Sequence, residues 1–323
     1  MALRILNPGL MTTVQDLGRY GYAHLGVTPA GAADALALRV ANLLLGNQEN
    51  TAALEMTLLG AAVEFEHAAM VALTGAQVEC KLGNARAPMW RAFPVLPGAV
   101  LKCGAISGGA RSYLAVQGGF ALKPVMGSVA TLRSAHLGGL EGRALKAGDQ
   151  LAINHVDFVS TRRISRQALA YLEPRLAPQR AGNGLAGGPA RELRLTAGPQ
   201  ADWFGSEELQ TLQSGEYLVS GDSDRRGIRF QGKALTLPPK SQLVTEGISL
   251  GAMQVPPDGQ PIILFVDQQT TGGYPKVANV IAADLRHVAQ LRPRDAVHFR
   301  VVTVEQALSL LREQEEWLCR AFD

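Results

Sequence analysis

The stretch that decides the fold is PIILFVDQQTTGGYPKVANVIAADLRHV, residues 261–288. Pro261 to Val266 form a short apolar run of the kind a buried strand uses, and Pro275 is a residue favoured at the first position of a helix. Val277, Val280, Ile281, Leu285 and Val288 then recur at helical spacing. The pattern predicts a strand, a loop from Asp267 to Tyr274, and a helix from Pro275 onward. A loop that opens a helix offers free backbone N–H groups and the positive end of the helix dipole. With Lys276 added, that set suits one carboxylate or phosphate without a Walker motif. The same residues also read as a tight turn with a capping threonine.

Outward from this stretch, 323 residues fit two domains of roughly 150 residues each. Hydrophobic residues make up 47% and charged residues 18%, enough for a sizeable core, and no run approaches the roughly 20 apolar residues of a membrane span. No membrane association is expected. Met1 to Leu10, broken by Pro8 and Gly9, lacks the apolar region of a secretory signal. Cys80, Cys103 and Cys319 are odd in number and widely spaced, which provides neither a disulfide framework nor a metal knuckle, and a reducing cytoplasm is the expected compartment. The 31 basic and 28 acidic residues are scattered, so no nucleic-acid stripe forms and no nucleic-acid partner is expected. Thirty-five glycines and 17 prolines between short β-rich runs predict a mainly β protein with a few helices.

Three blocks follow: residues 1–160, a helical and Gly-rich linker over 161–190, and residues 191–323. The first holds one early helix from about Asp34 to Leu45, with Asp34 as N-cap, an apolar face of Ala37, Val40, Ala41 and Leu44, and Gly46 with Asn47 as a left-handed stop. Strand candidates follow at Val71–Leu73, Val95–Leu101, Ser112–Val116 and Gln150–Ile153, a barrel-like or sandwich-like pattern. In the linker, Gly182 to Gly187 match GxGxxG but follow a helical run and precede Pro189, the wrong context for a dinucleotide fingerprint. The last block repeats the first in outline, with strands at Glu192–Thr196, Tyr217–Ser220, Pro261–Val266 and Val297–Val302. It ends in a helix whose Thr303 and Gln306 make a capping box and whose apolar stripe is Leu308, Leu311 and Leu318.

Most catalytic signatures are absent: no GxxxxGK[ST], HExxH or calcium loop occurs. The six histidines form no HxH or i,i+4 pair, so no metal site is expected. No Met-Lys-Met tripeptide is present, so this chain carries no biotin itself. Polar clusters in glycine-rich surroundings remain. Arg19, Arg226 and Arg229 could each fork onto a carboxylate or phosphate, or pair with a nearby Asp. Asp16 and Asp34 read as caps or turn formers. Gln254, between Met253 and Val255 at a strand end, can donate and accept at once, which suits a substrate amide.

TVQDLGRYGY at 13–22, GVTPAGAAD at 26–34, ANLLLGN at 41–47, LEMTLLG at 54–60, RSYLAVQGGF at 111–120 and GAMQVPPDGQPIILFVDQQTTGGYPKVANVIAADL at 251–285 resemble one family. It is the carboxyltransferase-like family that contains the C subunit of 5-oxoprolinase, KipA and allophanate hydrolase subunit 2. The resemblance implies two tandem cyclophilin-like β-barrel domains. It also implies partners, the KipI-like B subunit and the A subunit of 5-oxoprolinase, which together with the C subunit cleave 5-oxo-L-proline to L-glutamate with ATP hydrolysis. The implied alternatives are a carboxyltransferase component that takes carboxylate from carboxybiotin on a separate domain and acts on urea or a related amide, and a KipA-like regulator that binds a KipI-like kinase inhibitor.

On the resemblance, a small amide or lactam is the expected substrate and ATP acts at the level of the complex. Gln254, Asp267 and Lys276 are the expected catalytic residues. Arg19, Arg226, Glu246, Thr270, Thr271, Gly272, Gly273 and Tyr274 are the expected substrate-binding residues. Backbone N–H groups of Thr271 to Tyr274, with Lys276, would stabilise charge on oxygen, and Arg19 or Arg226 would hold a substrate carboxylate. The family's Ser-Glu-Gly reads Thr245, Glu246, Gly247, and its Pro-Gly-Asp reads Pro293, Arg294, Asp295, where Arg294 is expected to avoid positive φ and reshape the turn. Gln268 stands where relatives often show histidine, which argues against a general base in that loop.

Overall fold

Early in the chain, Asp34 closes a loop and starts a helix, its side chain accepting from Ala37 N at 3.0 Å. The resulting helix α1 (Ala35–Leu44) buries Leu36, Ala37, Leu38, Val40, Ala41 and Leu44, and Gly46 at φ 69° ends it as the sequence predicts. The computed structural model describes residues 2–156, 160–165, 167–168, 191–237 and 243–322. Most of the linker drawn over 161–190, including its GxGxxG match, lies outside the described residues.

Two compact units emerge. One comprises Met1–Arg19, Ala30–Pro178 and Glu316–Asp323, the other Tyr20–Pro29 and Gln179–Glu315. Both are discontinuous, unlike the contiguous blocks drawn from the sequence. Leu318 packs in the same apolar cluster as α1, and the Thr28 hydroxyl donates to Val266 O at 3.2 Å. These contacts draw short segments away from their neighbours in the chain.

The first unit is a nine-stranded sheet built from β1 (Ala2–Asn7), β2 (Met11–Gln15), β3 (Ala53–Thr57), β4 (Ala62–Phe65), β5 (Ala69–Leu82), β6 (Ala85–Arg86), β7 (Ala92–Val95), β8 (Val100–Val116) and β9 (Gln150–Ala152). Its main path runs β2-β3-β8-β4-β1-β9, with β5 branching to β6, β7 and β8. One face of the sheet closes over Leu3, Val14, Leu54, Phe65, Val78 and Leu114, and α1 covers another patch with Tyr113. The candidate strand Val95–Leu101 is instead a strand end, a turn and a strand start. Gly98 at φ 75° makes the turn, and its N–H donates to Phe65 O at 2.7 Å. The register of β5 against β8 sets Cys80 opposite Cys103, and the two are joined in a disulfide across 23 residues of chain, Cα–Cα 4.1 Å. The cysteine spacing alone does not reveal this pair, because only strand register brings it together.

The second unit is a closed seven-stranded barrel. Its strands are β10 (Arg191–Ala197), β11 (Tyr217–Val219), β12 (Gly227–Gln231), β14 (Ala252–Gln254), β15 (Ile262–Leu264), β17 (Lys276–Val280) and β18 (Ala296–Val301), while β13 (Glu246–Gly247) and β16 (Thr271–Gly272) form a separate ladder. Around the barrel the order is β10-β17-β14-β15-β12-β11-β18, with β18 closing parallel to β10. Phe299 fills the interior against Tyr217 and Phe230, ring centroids 5.3 and 5.2 Å away. Helix α2 (Ser206–Ser214) and the short α3 (Leu285–Ala289) lie within this unit, and α4 (Val304–Arg320) ends the chain.

The helix predicted from Pro275 is not present; residues 276–280 are β17. The strand is hydrogen-bonded to β10 on one side and β14 on the other and is buried at four of its five positions. A strand buried on both faces shows no alternation, so its valines mimic helical spacing. Helical structure begins only with a 3-10 turn at Ala282–Asp284, which leads into the α-helix at Leu285. At α4 the capping box forms as predicted, Thr303 N donating to Gln306 Oε1 at 3.0 Å and Gln306 N to Thr303 Oγ1 at 3.2 Å. The buried face is rotated, however: Leu308 is exposed, whereas Gln314 and Leu318 are buried. Arg294 also departs from expectation. It adopts φ 72°, so the turn keeps the glycine-like geometry, with Arg292 N donating to Asp295 Oδ2 at 3.0 Å.

Candidate functional site

Because β17 is a strand, the helix start expected at Pro275 does not form, and neither does the dipole it would aim at the 267–276 loop. A different construction takes its place. β10 ends at Ala197, and Gly198 lets the chain turn against β17. A Cβ at Gly198 would collide with Lys276 O and lie 2.6 Å from Ala278 N, so only glycine permits this approach. Two residues on, Gln200 is buried and holds the Lys276 peptide from both sides. Gln200 N donates to Lys276 O at 3.2 Å, and Lys276 N donates to Gln200 Oε1 at 3.0 Å. The free end of the amide, Nε2, donates to Glu246 Oε1 at 2.9 Å.

Glu246 Oε1 also accepts from Lys276 Nζ in a short ion pair. The two side chains are 4% and 42% exposed for Lys276 and Glu246 respectively, so the ammonium is the buried partner and the carboxylate the accessible one. The Lys276 hydrogen bond, then the Gln200 hydrogen bond, hold the Glu246 carboxyl below the usual glutamate range. No hydrogen bond reaches Glu246 Oε2 among the described residues.

The β13·β16 ladder pairs Glu246 with Gly272 and Gly247 with Thr271, which fixes the carboxylate beside the loop. A Cβ at Gly272 would lie 2.9 Å from both Gln254 Nε2 and Gln269 Nε2, so two side-chain amides converge on this glycine. Gln254 is buried, and its Nε2 donates to Tyr274 O at 3.4 Å. Gln268 is buried as well, its Nε2 donating to Ile248 O at 3.2 Å while its Oε1 has no hydrogen-bond partner among the described residues. Thr270 O accepts from Ile248 N at 3.1 Å, and Tyr274 is 45% exposed.

The structure therefore brings together Gln254, Lys276, Glu246, Thr271, Gly272 and Tyr274, and Gly273 continues the loop. Three expected residues are engaged by other partners. Asp267 forms a bidentate pair with the buried Arg225, at 2.8 and 2.9 Å, which engages both of its oxygens. Arg226 is 72% exposed on its side chain and pairs with Asp224 at 2.9 Å. Arg19 belongs to the first unit and donates to Val125 O and Ala130 O. The two arginines fail as a carboxylate clamp for opposite reasons, one exposed and locally paired, the other buried against carbonyls. Gln200, which the sequence reading passes over, is central. Its one sequence signal is Gly198 two residues earlier, after a strand, where close backbone approach needs glycine. Among the described residues no group of three or more His, Cys, Asp and Glu gathers as a metal site, and no helix is long and apolar enough to cross a membrane.

The site is thus a carboxylate–ammonium pair bordered by the primary amides of Gln200, Gln254 and Gln269 in a mainly β unit built on a closed barrel. A family model described as "Carboxyltransferase domain, subdomain A and B" matches residues 25–301, and the chain belongs to that family. It is 40% identical over 316 residues to the C subunit of 5-oxoprolinase from Escherichia coli K12, covering 98% of this chain and 96% of that protein. The identity is 38% over 318 residues to the C subunit of 5-oxoprolinase from Haemophilus influenzae, covering 97% and 96%. The crystal structure of Kluyveromyces lactis urea carboxylase superposes with a TM-score of 0.86 at 30% identity, covering 98% of this chain. This chain spans 28% of that larger protein.

Proposed function

We propose that this chain is the C subunit of an ATP-dependent 5-oxoprolinase, acting with an A subunit and a KipI-like B subunit to open 5-oxo-L-proline to L-glutamate. The observation that carries this reading is end-to-end likeness, 96% of the length of each of the two 5-oxoprolinase C subunits being covered.

The site chemistry supports it. A lactam has one N–H donor and one carbonyl acceptor on adjacent atoms. Glu246 Oε2 is available to accept the N–H, while Gln254 and Gln269 present amide donors beside Gly272 for the lactam carbonyl oxygen. Fixed donors help most where negative charge builds on oxygen in the transition state. In this reading Glu246 and Gln254 touch substrate and Lys276 acts from beneath by holding Glu246 ionised. Thr270, Thr271, Gly272, Gly273 and Tyr274 form the rim.

The donor set does not fit a polyphosphate. Among the described residues the cation at its centre, Lys276, is already paired with Glu246, so we assign no ATP contact to this chain and place that chemistry on the partner proteins. A biotin-dependent carboxyltransferase acting on urea or a related amide is the second reading, favoured by the fold match to urea carboxylase. Reconstitution with the cognate partners separates the two. Glutamate release that needs 5-oxoproline, ATP and this chain supports the first; release of nothing until a biotinylated carrier and urea are supplied supports the second. A complex with the KipI-like partner that turns over no amide supports a KipA-like regulator.

A further inference from the structure

We propose that Gln200 is a positioning residue. Its side-chain amide locks the Glu246 carboxylate onto Lys276 through one oxygen, so that the second oxygen is presented to an N–H donor on a cyclic amide ligand. The activity arm of this inference rests on the proposed function; its structural arm does not.

The geometry leaves the amide one orientation. A backbone N–H, that of Lys276, can pair only with Gln200 Oε1, at 3.0 Å, and a carboxylate can pair only with Nε2, at 2.9 Å. Gln200 therefore reads two different partners with its two ends. Its own backbone N–H, donating to Lys276 O at 3.2 Å, fixes the base of the side chain to the strand that supplies the ammonium. Lys276 and Glu246 are 30 residues apart in sequence, on strands of different sheets, and Gln200 bridges the two.

Exposure decides which group meets the ligand. Lys276 is sealed beneath, and Glu246 is the accessible member. Both contacts converge on Glu246 Oε1, which leaves Oε2 for a ligand. Lys276, on β17, is the charged group facing Glu246 among the described residues, with Gln200 adding a neutral donor from the turn after β10. A ligand with an N–H donor next to a carbonyl matches this acceptor and the neighbouring amides of Gln254 and Gln269. An anionic oxygen placed directly on Oε2 would be repelled by Glu246, so the N–H and not the substrate carboxylate takes that position.

The decisive variant is Gln200→Glu. The introduced carboxyl keeps the acceptor for Lys276 N, so the turn is preserved, but when ionised it cannot donate to Glu246 and repels it. When protonated it restores both contacts. In the reconstituted complex the variant should lose at least about tenfold in kcat/KM at pH 8 and recover toward the wild-type value as pH falls. Gln200→Ala should be lower across the whole range, with its acid limb moved upward.

A merely structural role would lower activity by a pH-independent factor, and a profile for Gln200→Glu parallel to wild type would overturn the proposal. In the full chain alone, carbon-13 titration of the Glu246 carboxyl, assigned with Glu246→Gln, should move upward in Gln200→Ala; an unmoved titration would equally overturn it. If the wild-type complex releases no glutamate, the 5-oxoprolinase reading fails while the titration still decides the role of Gln200.

Discussion

Lys276 and Glu246 form an ion pair whose halves differ in solvent access, the ammonium buried and the carboxylate 42% exposed on its side chain. Removing either partner therefore has unequal effects. Glu246→Ala strands a buried ammonium without its counter-charge, whereas Lys276→Met fills the same volume with an apolar side chain and leaves a carboxylate that water can reach. Glu246→Ala should lower Tm more than Lys276→Met, while both sharply reduce turnover of the assembled complex. Thermal melts of the two variants check the order.

Acid should dissolve this pair from the carboxylate side. Glu246 is held below its ordinary value of 4.5, so its contribution to stability is present above that value and is lost as pH falls through the lowered folded-state value. Asp149 behaves alike, held down by its bidentate contact with Arg143. Urea unfolding midpoints should be level through neutral pH and decline below the usual carboxylate range, with a shallower decline in Glu246→Gln.

Arg225 and Asp267 make a bidentate pair, with both carboxylate oxygens engaged. Asp267→Asn leaves a buried guanidinium without its charge partner and should cost about 3 kcal/mol of stability. The structure points to a scaffold role for Asp267, so kcat/KM per folded molecule should change far less than for Gln254→Ala. Chemical denaturation alongside active-site-normalised kinetics separates the two roles.

Arg294 holds φ at 72°, in the region where a side chain crowds its own backbone. Arg294→Gly relieves that strain, partly offset by the greater freedom of glycine in the unfolded chain, for a net gain of roughly 0.5–1 kcal/mol. Differential scanning calorimetry should show a higher Tm and unchanged activity.

Cys80 and Cys103 are joined inside the first sheet, and Cys319 is free and exposed. Thiol titration of the protein purified without reductant should read one reactive thiol, both native and in denaturant. Reading two more in denaturant would show the pair reduced.

Local chemistry made much of the fold legible. The Asp34 cap, the Gly46 stop and the Thr303–Gln306 box each involve residues a few positions apart, and all three form. The strand at Pro261–Val266 was readable from its apolar run, and its core forms β15. What failed depends on distant neighbours. Val277 and Val280 lie on a strand only because β10 and β14 flank it, and Leu308 lost its place on the buried face to Gln314. In the site, the family motif located Glu246, Gln254 and Lys276, which do converge. Gln200 could not be read, because its side-chain partners lie 46 and 76 residues away. Asp267, Arg226 and Arg19 bear the right chemistry, but other partners already engage them.

On the proposed function, this barrel holds a cyclic amide for ATP-dependent opening. The most direct measurement is glutamate release from 5-oxo-L-proline by the complex reconstituted from all its subunits, with ATP, comparing this chain with Gln254→Ala and with its omission. The account predicts release with the wild-type chain, sharply reduced release with the variant, and none without the chain. Equal release in its absence, or an unaltered rate in the variant, would contradict it.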